Sequence, residues 1–354
     1  MAETSPPILT QPPPAEELPR WHGDGLIAQS IRFTLTVMAP VVAGALFGAD
    51  LWVAYALLTG ILGYMMDTGG PALPRLGAIT AAGVVVLAGA ALGTLVSGSI
   101  VLITLALAFT GLLYGLVESS HQSAAMAGRF FSITFAVGAL YIPLQQIDAV
   151  AVGAFVIYTW LVSVAWDLAT GMWRPSTAPK LQDIVAYLKA TRAERWLFAT
   201  VVAGSAVAAF LTCKALGLER PNWALLAIVV VLRADAQLSR QMIINLMLGT
   251  IVGVAAAFGY NEFFPSPIGL TVGMVIAALV RWPLQQLHGA LGLAAMAAFI
   301  VLLLQLVSVV TGIETHASQD RLIDITIGCL FGLAAIWING KAQAALRSKA
   351  ATAP

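Results

Sequence analysis

The sequence predicts an all-α membrane protein with about twelve transmembrane helices, arranged as two parallel six-helix repeats. Hydrophobic residues make up 59% of its 354 residues and charged residues only 10%, whereas soluble domains carry about 25% charged residues. The apolar residues form twelve runs, and one long polar segment separates them into two sets of six. Because six is an even number, both halves enter the membrane from the same side, so the repeat is parallel.

Each apolar run is bounded by charged or turn residues and predicts one membrane helix. In the first half the runs cover residues 27 to 48, 51 to 66, 76 to 96, 100 to 117, 129 to 143 and 149 to 166. In the second half they cover residues 196 to 213, 222 to 232, 241 to 260, 267 to 281, 289 to 310 and 324 to 340.

The polar segments complete the predicted organisation. The proline-rich start predicts a disordered tail without a cleaved signal peptide, and the apolar spacing of the central segment predicts a short amphipathic helix. The predicted domains are therefore a cytoplasmic tail (1–26), a first repeat (27–166), a cytoplasmic linker (167–195), a second repeat (196–340) and a cytoplasmic tail (341–354).

The basic residues predict the topology. If the amino terminus is cytoplasmic, only Lys214, Arg220 and Arg321 of the eighteen basic residues fall in outer segments. Lys and Arg concentrate in the cytoplasmic loops of membrane proteins. The pattern therefore predicts a multi-pass protein of the inner (plasma) membrane with both termini in the cytoplasm.

One helix of the second half is unusually short. Only twelve uncharged residues separate Arg220 from Arg233, which span about 18 Å as a helix against a hydrocarbon core of about 30 Å. Asp67 and Arg75 follow the corresponding helix of the first half, as Asp235 and Arg240 follow this one. Short segments with charged ends in both halves of a membrane chain are typical of a transport site.

Arginines near these helices are the candidate substrate-binding residues. On a continuous helix Arg233 and Arg240 would share one face, where buried guanidiniums suit a carboxylate, and Arg75 is a further candidate. In the alternative interpretation, Asp235 pairs with an arginine, Asp235 or Ser239 caps the next helix, and the arginines anchor the inner surface. Trp52 and Trp223 either anchor the helices at the membrane interface or face a substrate ring.

Other ionisable residues are candidates for ion coupling or gating. Glu118, His121 and Arg129 form one group at the inner face, and histidine is the side chain that titrates most readily near neutral pH. Arg321 and Asp324 lie one helical turn apart and form either a structural clamp or part of an ion pathway. The complete coupling set is Asp67, Glu118, His121, Asp235, Arg321 and Asp324.

No sequence motif points to an enzyme. The chain contains no phosphate-binding loop, no His-Glu-x-x-His and no Gly-x-Ser-x-Gly. Cys213 and Cys329 lie in apolar runs without metal-ligand spacing, so we interpret them as packing residues. We expect no catalytic residue, cofactor or metal.

Four motifs in the second half give the chain a family resemblance. They are Arg220-Pro-Asn-Trp-Ala-Leu-Leu, Gln237-Leu-Ser-Arg240, Leu248-Gly249-Thr250-x-x-Gly253 and Asp320-Arg321-Leu-x-Asp324-x-x-x-Gly328. In this order they resemble the fusaric acid resistance protein-like (FUSC) family, which includes bacterial aromatic acid exporters and whose membrane fold is similar to that of plant aluminium-activated malate transporters. Two features depart from the family. Asn245 stands where a second arginine often precedes the Gly-Thr pair, which places Asn245 among the candidate substrate-binding residues, and a large cytoplasmic domain is absent.

The resemblance implies an inner-membrane secondary transporter that exports organic anions, with aromatic carboxylic acids as the leading substrates. Two alternatives stay open: a passive organic-anion channel resembling the malate transporters, and a non-transporting membrane subunit of an envelope assembly. The expected partners are a small organic anion and the lipid bilayer. A periplasmic adaptor protein and a second copy of the chain stay open as partners, and nucleic acid is not expected.

Overall fold

A computed structural model describes most of the chain. The described residues are 25–47, 53–67, 69–118, 120, 122–170, 192–218, 221–233, 236–311 and 317–351. Within them every regular element is an α-helix. The predicted amino-terminal tail and most of the predicted linker lie outside the described residues.

Twelve helices are present in the described residues, so the predicted all-α fold is confirmed. They are α1 Leu26–Phe47, α2 Val53–Met66, α3 Ala72–Val96, α4 Ile100–Glu118, α5 Gln122–Leu140, α6 Gln146–Thr170, α7 Arg192–Ala215, α8 Asn222–Val231, α9 Ala236–Phe263, α10 Pro267–Leu287, α11 Gly289–Thr311 and α12 Ala317–Ala351. Ten of them are long and apolar enough to cross a membrane, and α2 and α8 are shorter.

Two helices differ most from the sequence prediction. Helix α5 begins at Gln122 rather than at residue 129, and α12 runs from Ala317 to Ala351 rather than from residue 324 to residue 340. In both cases the additional turns consist mainly of polar and small residues. Such residues are compatible with a helix, but they are not apolar, so the hydrophobic pattern of the sequence does not mark them as part of the membrane helix.

Close glycine contacts join the third and fifth helices of each half. A Cβ atom added to Gly93 of α3 would lie 2.3 Å from the carbonyl oxygen of Phe135 in α5. In the second half, a Cβ atom on Gly253 of α9 would lie 2.3 Å from the carbonyl oxygen of Ala294 in α11. Small residues allow membrane helices to approach this closely. The matching contacts favour the predicted internal repeat, which stays a prediction.

Each half also packs on the other in a reciprocal way. Helix α1 packs on α10, and α4 packs on α7, so the first helix of each half contacts the fourth helix of the other. The second contact is tight, because a Cβ atom on Gly115 would lie 2.4 Å from the Cα atom of Ala199. The two halves therefore share one helical bundle.

The two short helices lie inside this bundle. Helix α8 has ten residues, of which Trp223, Leu225 and Ile228 are among the buried ones, and its length is about 15 Å. Helix α2 has 14 residues and a length of about 21 Å. Both are shorter than the roughly 30 Å hydrocarbon core. The charged residue Asp67 after α2 is buried, and Arg233 after α8 is partly buried.

Candidate functional site

An ion cluster follows α2 and joins four helices of the first half. Its members, which we call the Asp67 cluster, are Arg32 of α1, Asp67, Arg75 of α3, and Ser163 and Asp167 of α6. The Asp67 carboxylate is 3.3 Å from Nη1 of Arg32 and 3.3 Å from Nε of Arg75. The Ser163 hydroxyl donates to the same carboxylate at 2.6 Å.

Arg75 is fully enclosed in this cluster. Its Nη2 donates to Asp167 at 2.7 Å and to the carbonyl oxygen of Gly70 at 2.8 Å. Its Nη1 donates to the hydroxyl and the carbonyl oxygen of Ser163 at 2.9 and 3.1 Å. The side chain has no exposed surface, so in this conformation an incoming anion has no access to it.

The turn between α2 and α3 shapes this enclosure. Gly69 and Gly70 have φ values of 66° and 77°, a backbone conformation that glycine adopts without a steric penalty. The turn brings the amide of Gly69 to the Asp67 carboxylate at 3.1 Å and the carbonyl oxygen of Gly70 to Arg75.

A second ion cluster lies where the two halves meet. Its members, which we call the Glu118 cluster, are Tyr114 and Glu118 of α4, Arg129 of α5, and Arg233 just after α8. Arg129 donates through Nε to Glu118 at 3.1 Å and through Nη2 to the other oxygen of the same carboxylate. Arg233 approaches this carboxylate more loosely, with Nη1 3.6 Å from Oε1. The Tyr114 hydroxyl donates to the carbonyl oxygen of Leu232.

Arg233 and Arg240 do not share a face of one helix, because Arg233 lies outside both α8 and α9. Leu232 is extended, and α9 begins only at Ala236. The Ser239 hydroxyl accepts a hydrogen bond from the amide of Arg233 at 2.9 Å. This bond fixes the backbone of Arg233 beside Glu118, whereas Arg240 is exposed.

The remaining described candidates are spread over the bundle. Trp223 is 9% exposed and packs in the second-half core with Ala227 and Ile228. The side-chain amide of Asn245 lies against the start of α11, where a Cβ atom on Gly289 would be 2.6 Å from it. Asp324 is fully buried in α12. None of these three residues belongs to either ion cluster as we define them.

Four predicted candidates lie outside what the structure describes. Trp52, His121 and Asp235 lie outside the described residues, and the side chain of Arg321 is not described. Their proposed roles stay predictions.

Several residues that the structure places in ion or aromatic contacts were not predicted from the sequence. Arg32 and Asp167 complete the Asp67 cluster, although the sequence counted Arg32 only among the basic residues on the cytoplasmic side and placed Asp167 in the linker. Helix α6 in fact continues to Thr170, so Asp167 lies within a helix. A second missed arginine is Arg281, which lies between the rings of Phe33 and Trp282. A charged residue within an apolar run was the available signal for both arginines.

The arginines of the two clusters lie toward one end of the bundle. Helices α3 and α5 run parallel, because Gly89 approaches Phe131 as Gly93 approaches Phe135. Arg75 and Arg129, each near the start of its helix, therefore lie toward the same end. Within the described residues no group of three metal-ligating side chains is present.

Comparison with known proteins relates the region around α8 to one family. A model of the family described as fusaric acid resistance protein-like matches residues 204–335, a range that contains α8, α9, α10 and α11. No curated protein and no solved structure matches the chain significantly. A multi-pass membrane protein of this kind is consistent with a transporter. Residues 204–335, less than half of the chain, are therefore similar to the fusaric acid resistance protein-like family.

Proposed function

We propose that the protein is an inner-membrane secondary transporter that exports organic anions, with aromatic carboxylic acids as its leading substrates. The observation that carries this proposal is the Glu118 cluster. Two arginines share one carboxylate there, at the end of a helix too short to cross the membrane. The described members of the cluster therefore carry one positive charge in excess.

An excess guanidinium in this position suits an anion. Arginine presents planar donors that match a carboxylate in two parallel hydrogen bonds. The Arg233 side chain is 18% exposed, against 5% for Glu118, so Arg233 is the member that a solute reaches. An anion that binds to it competes with a single 3.6 Å contact to Glu118.

The location of the cluster supports a role in transport. Glu118 and Arg129 belong to the first half and Arg233 to the second, so a relative movement of the halves changes this contact directly. Alternating access in repeat-built transporters works through such movements. We propose that the end of the bundle with Arg75 and Arg129 faces the cytoplasm, because the basic residues predicted to be internal lie there.

Transport assays in inverted membrane vesicles test the proposal. Vesicles containing the wild-type protein should accumulate radiolabelled benzoate when a pH gradient is imposed, and Arg233→Ala should lower the initial rate about tenfold or more. Lys341→Gln provides a matched control, because Lys341 is exposed and its ammonium lies 4.1 Å from the Trp337 ring.

The same assay distinguishes the alternatives. Benzoate uptake that follows the membrane potential without a pH gradient would indicate a passive channel rather than a coupled exporter. Absence of uptake of both benzoate and malate by the wild-type protein, together with a stoichiometric co-purifying partner, would contradict transport and favour a subunit of an envelope assembly.

A further inference from the structure

Asp148, in the first turn of α6, is a buried carboxylate without an ion pair. It is 1% exposed. Its Oδ2 atom accepts a hydrogen bond from the amide of Gln145 at 2.7 Å. Its Oδ1 atom is buried without a hydrogen-bond partner among the described residues, and no salt bridge joins Asp148 to any of them. Because an unpaired charge is costly to bury, this side chain is suited to binding a proton.

The other described carboxylates of the first half differ from Asp148 in this respect. They are Asp67, Glu118 and Asp167, and each pairs with at least one arginine. An adjacent arginine stabilises the charged form of a carboxylate and opposes its protonation. Among these four carboxylates, Asp148 is therefore the one that accepts a proton most readily.

Two features of the helix start keep the charged form of Asp148 accessible as well. The Gln145 amide donates to the carboxylate, and the unbonded N–H groups in the first turn of a helix favour a negative charge. Burial without a counter-ion acts in the opposite direction. Because these effects oppose one another, Asp148 can both bind and release a proton.

Few other ionisable groups lie near Asp148 in the described part of the chain. Helices α1, α2 and α3 pack on α6. The charged residues that α1 and α3 contain are Arg32 and Arg75, which both belong to the Asp67 cluster. Helix α2 contains no charged residue, and its Tyr55 is the titratable side chain that interacts with Asp148. A change of charge at Asp148 is therefore not offset by a described base beside it.

Asp148 helps to hold the α5–α6 connection, residues 141–145. Tyr55 of α2 donates to a carbonyl oxygen of this connection, and the Thr94 hydroxyl of α3 accepts from one of its amides. Asp148 forms a third bond, to the Gln145 amide. The first two bonds join neutral groups, whereas the third is charge-assisted when Asp148 is ionised, and such bonds are roughly twice as strong. Protonation of Asp148 therefore weakens this third bond.

The α5–α6 connection lies at the end of the bundle opposite to the arginines of the ion clusters. Arg129 lies near the start of α5, and the connection follows the end of α5. Helix α5 carries Arg129 of the Glu118 cluster, and α6 carries Asp167 of the Asp67 cluster. A shift of the connection can therefore be transmitted along α5 and α6 to both clusters.

We infer that Asp148 is a proton-binding site whose protonation accelerates anion exchange by the protein. This inference rests on the proposed function and on the orientation proposed with it, which places Asp148 toward the outer side of the membrane. A proton from that side forms an O–H bond with the carboxylate and neutralises its charge. The bond to the Gln145 amide weakens, and α5 and α6 can then shift relative to their neighbours.

Benzoate exchange in membrane vesicles tests this inference. Vesicles are loaded with unlabelled benzoate, and entry of radiolabelled benzoate is measured over a series of pH values that are equal on both sides, after subtraction of entry into vesicles without the protein. Wild-type exchange should become about tenfold faster on acidification, the effect expected from weakening one charge-assisted hydrogen bond. Asp148→Asn, which resembles the neutral acid, should lose this pH dependence and stay fast.

A matched control and a second variant complete the exchange assay. Glu262→Gln removes an exposed carboxylate near the end of α9 and should keep the pH dependence of wild type. Asp148→Ser takes the place of Asp148→Asn if the latter fails to fold, because its hydroxyl accepts hydrogen bonds but does not titrate. The inference is overturned if wild-type exchange does not depend on pH, or if the folded Asp148 variant keeps the wild-type dependence.

Infrared spectra of the purified full-length protein in detergent measure proton binding without transport. The difference between wild type and the folded Asp148 variant should contain a carboxyl C=O band that titrates with pH, and its absence would overturn the inference. If this band is present but wild-type vesicles exchange no organic anion, the proton-binding site stands and the exporter proposal fails. If wild type and the variant exchange benzoate alike at every pH, the exporter proposal stands and this inference fails.

Discussion

The two ion clusters differ in charge balance and in access. The Asp67 cluster joins helices of one half, and its charged members among the described residues are two arginines and two aspartates with side chains at most 3% exposed. The Glu118 cluster joins the two halves, and its two arginines share one carboxylate, with Arg233 18% exposed. A balanced and enclosed cluster is suited to holding helices together. An unbalanced and accessible cluster can exchange one of its partners for a solute.

The largest effect on stability is expected from Arg75→Ala. The substitution leaves Asp67 and Asp167 buried without their shared arginine, and removal of one member of a buried ion pair costs about 3–5 kcal/mol in free energy of unfolding. Thermal unfolding of the purified protein in detergent measures this loss. A melting temperature equal to that of wild type would show that the Asp67 cluster does not hold the first half together.

A smaller loss is expected from Glu118→Gln. It removes the carboxylate that accepts two hydrogen bonds from Arg129, and bonds to charged groups contribute about 1.5–3 kcal/mol. The same unfolding assay measures the loss. Benzoate flux gives the second readout. If it does not change, Glu118 takes no part in the anion pathway and acts only as a structural partner of Arg129.

Gly70→Ala tests whether the contact with Arg75 depends on the backbone conformation of the turn after α2. An alanine at a φ of 77° costs about 1–2 kcal/mol, and the strain falls on the carbonyl group that binds Arg75. Gly77→Ala is the matched control, because it lies in α3 with open space around its Cβ position and should stabilise the protein by about 0.5–1 kcal/mol. Equal melting temperatures for the two variants would contradict this account of the turn.

The smallest effects on stability are expected from the second-half arginines. Arg233→Ala removes one 3.6 Å contact and should cost about 1 kcal/mol or less, and Arg240→Ala should cost less still because Arg240 is exposed. We nevertheless expect Arg233→Ala to reduce anion flux strongly, because Arg233 is the accessible member of the unbalanced Glu118 cluster. If Arg233→Ala lowered the free energy of unfolding as much as Arg75→Ala does, the two clusters would not differ in how strongly they stabilise the fold.

The sequence predicts the helices better than it predicts their ends. Most apolar runs are long enough to predict a helix, and the short α8 stands out because charges lie close on both sides. The start of α5 and the last turns of α12 carry polar and small residues, which apolar runs do not mark. Their helical structure depends on continuation from the adjoining turns.

Single residues of the candidate site are visible in the sequence, but their pairings are not. Asp67 and Arg75 are identifiable because each is an ion beside a membrane helix. Their partners Arg32 and Asp167 lie 35 and 92 residues away from Asp67 and Arg75, respectively, and only the packing of α1 and α6 brings them together. For the same reason the sequence placed Arg233 with Arg240, whereas the break after α8 directs Arg233 toward Glu118.

The reciprocal packing of α1 on α10 and of α4 on α7 has a consequence for synthesis of the protein. Membrane chains are synthesised from the amino terminus. Nine further helices must therefore be made before Arg281 and Trp282 can pack on Phe33. Helix α4, in contrast, can pack on its partner as soon as α7 has been synthesised. During that interval the face of α1 is open to lipid or to insertion factors. A ribosome-bound chain stopped before residue 267 should therefore expose α1 to crosslinking, and a chain stopped after the release of α10 should protect it.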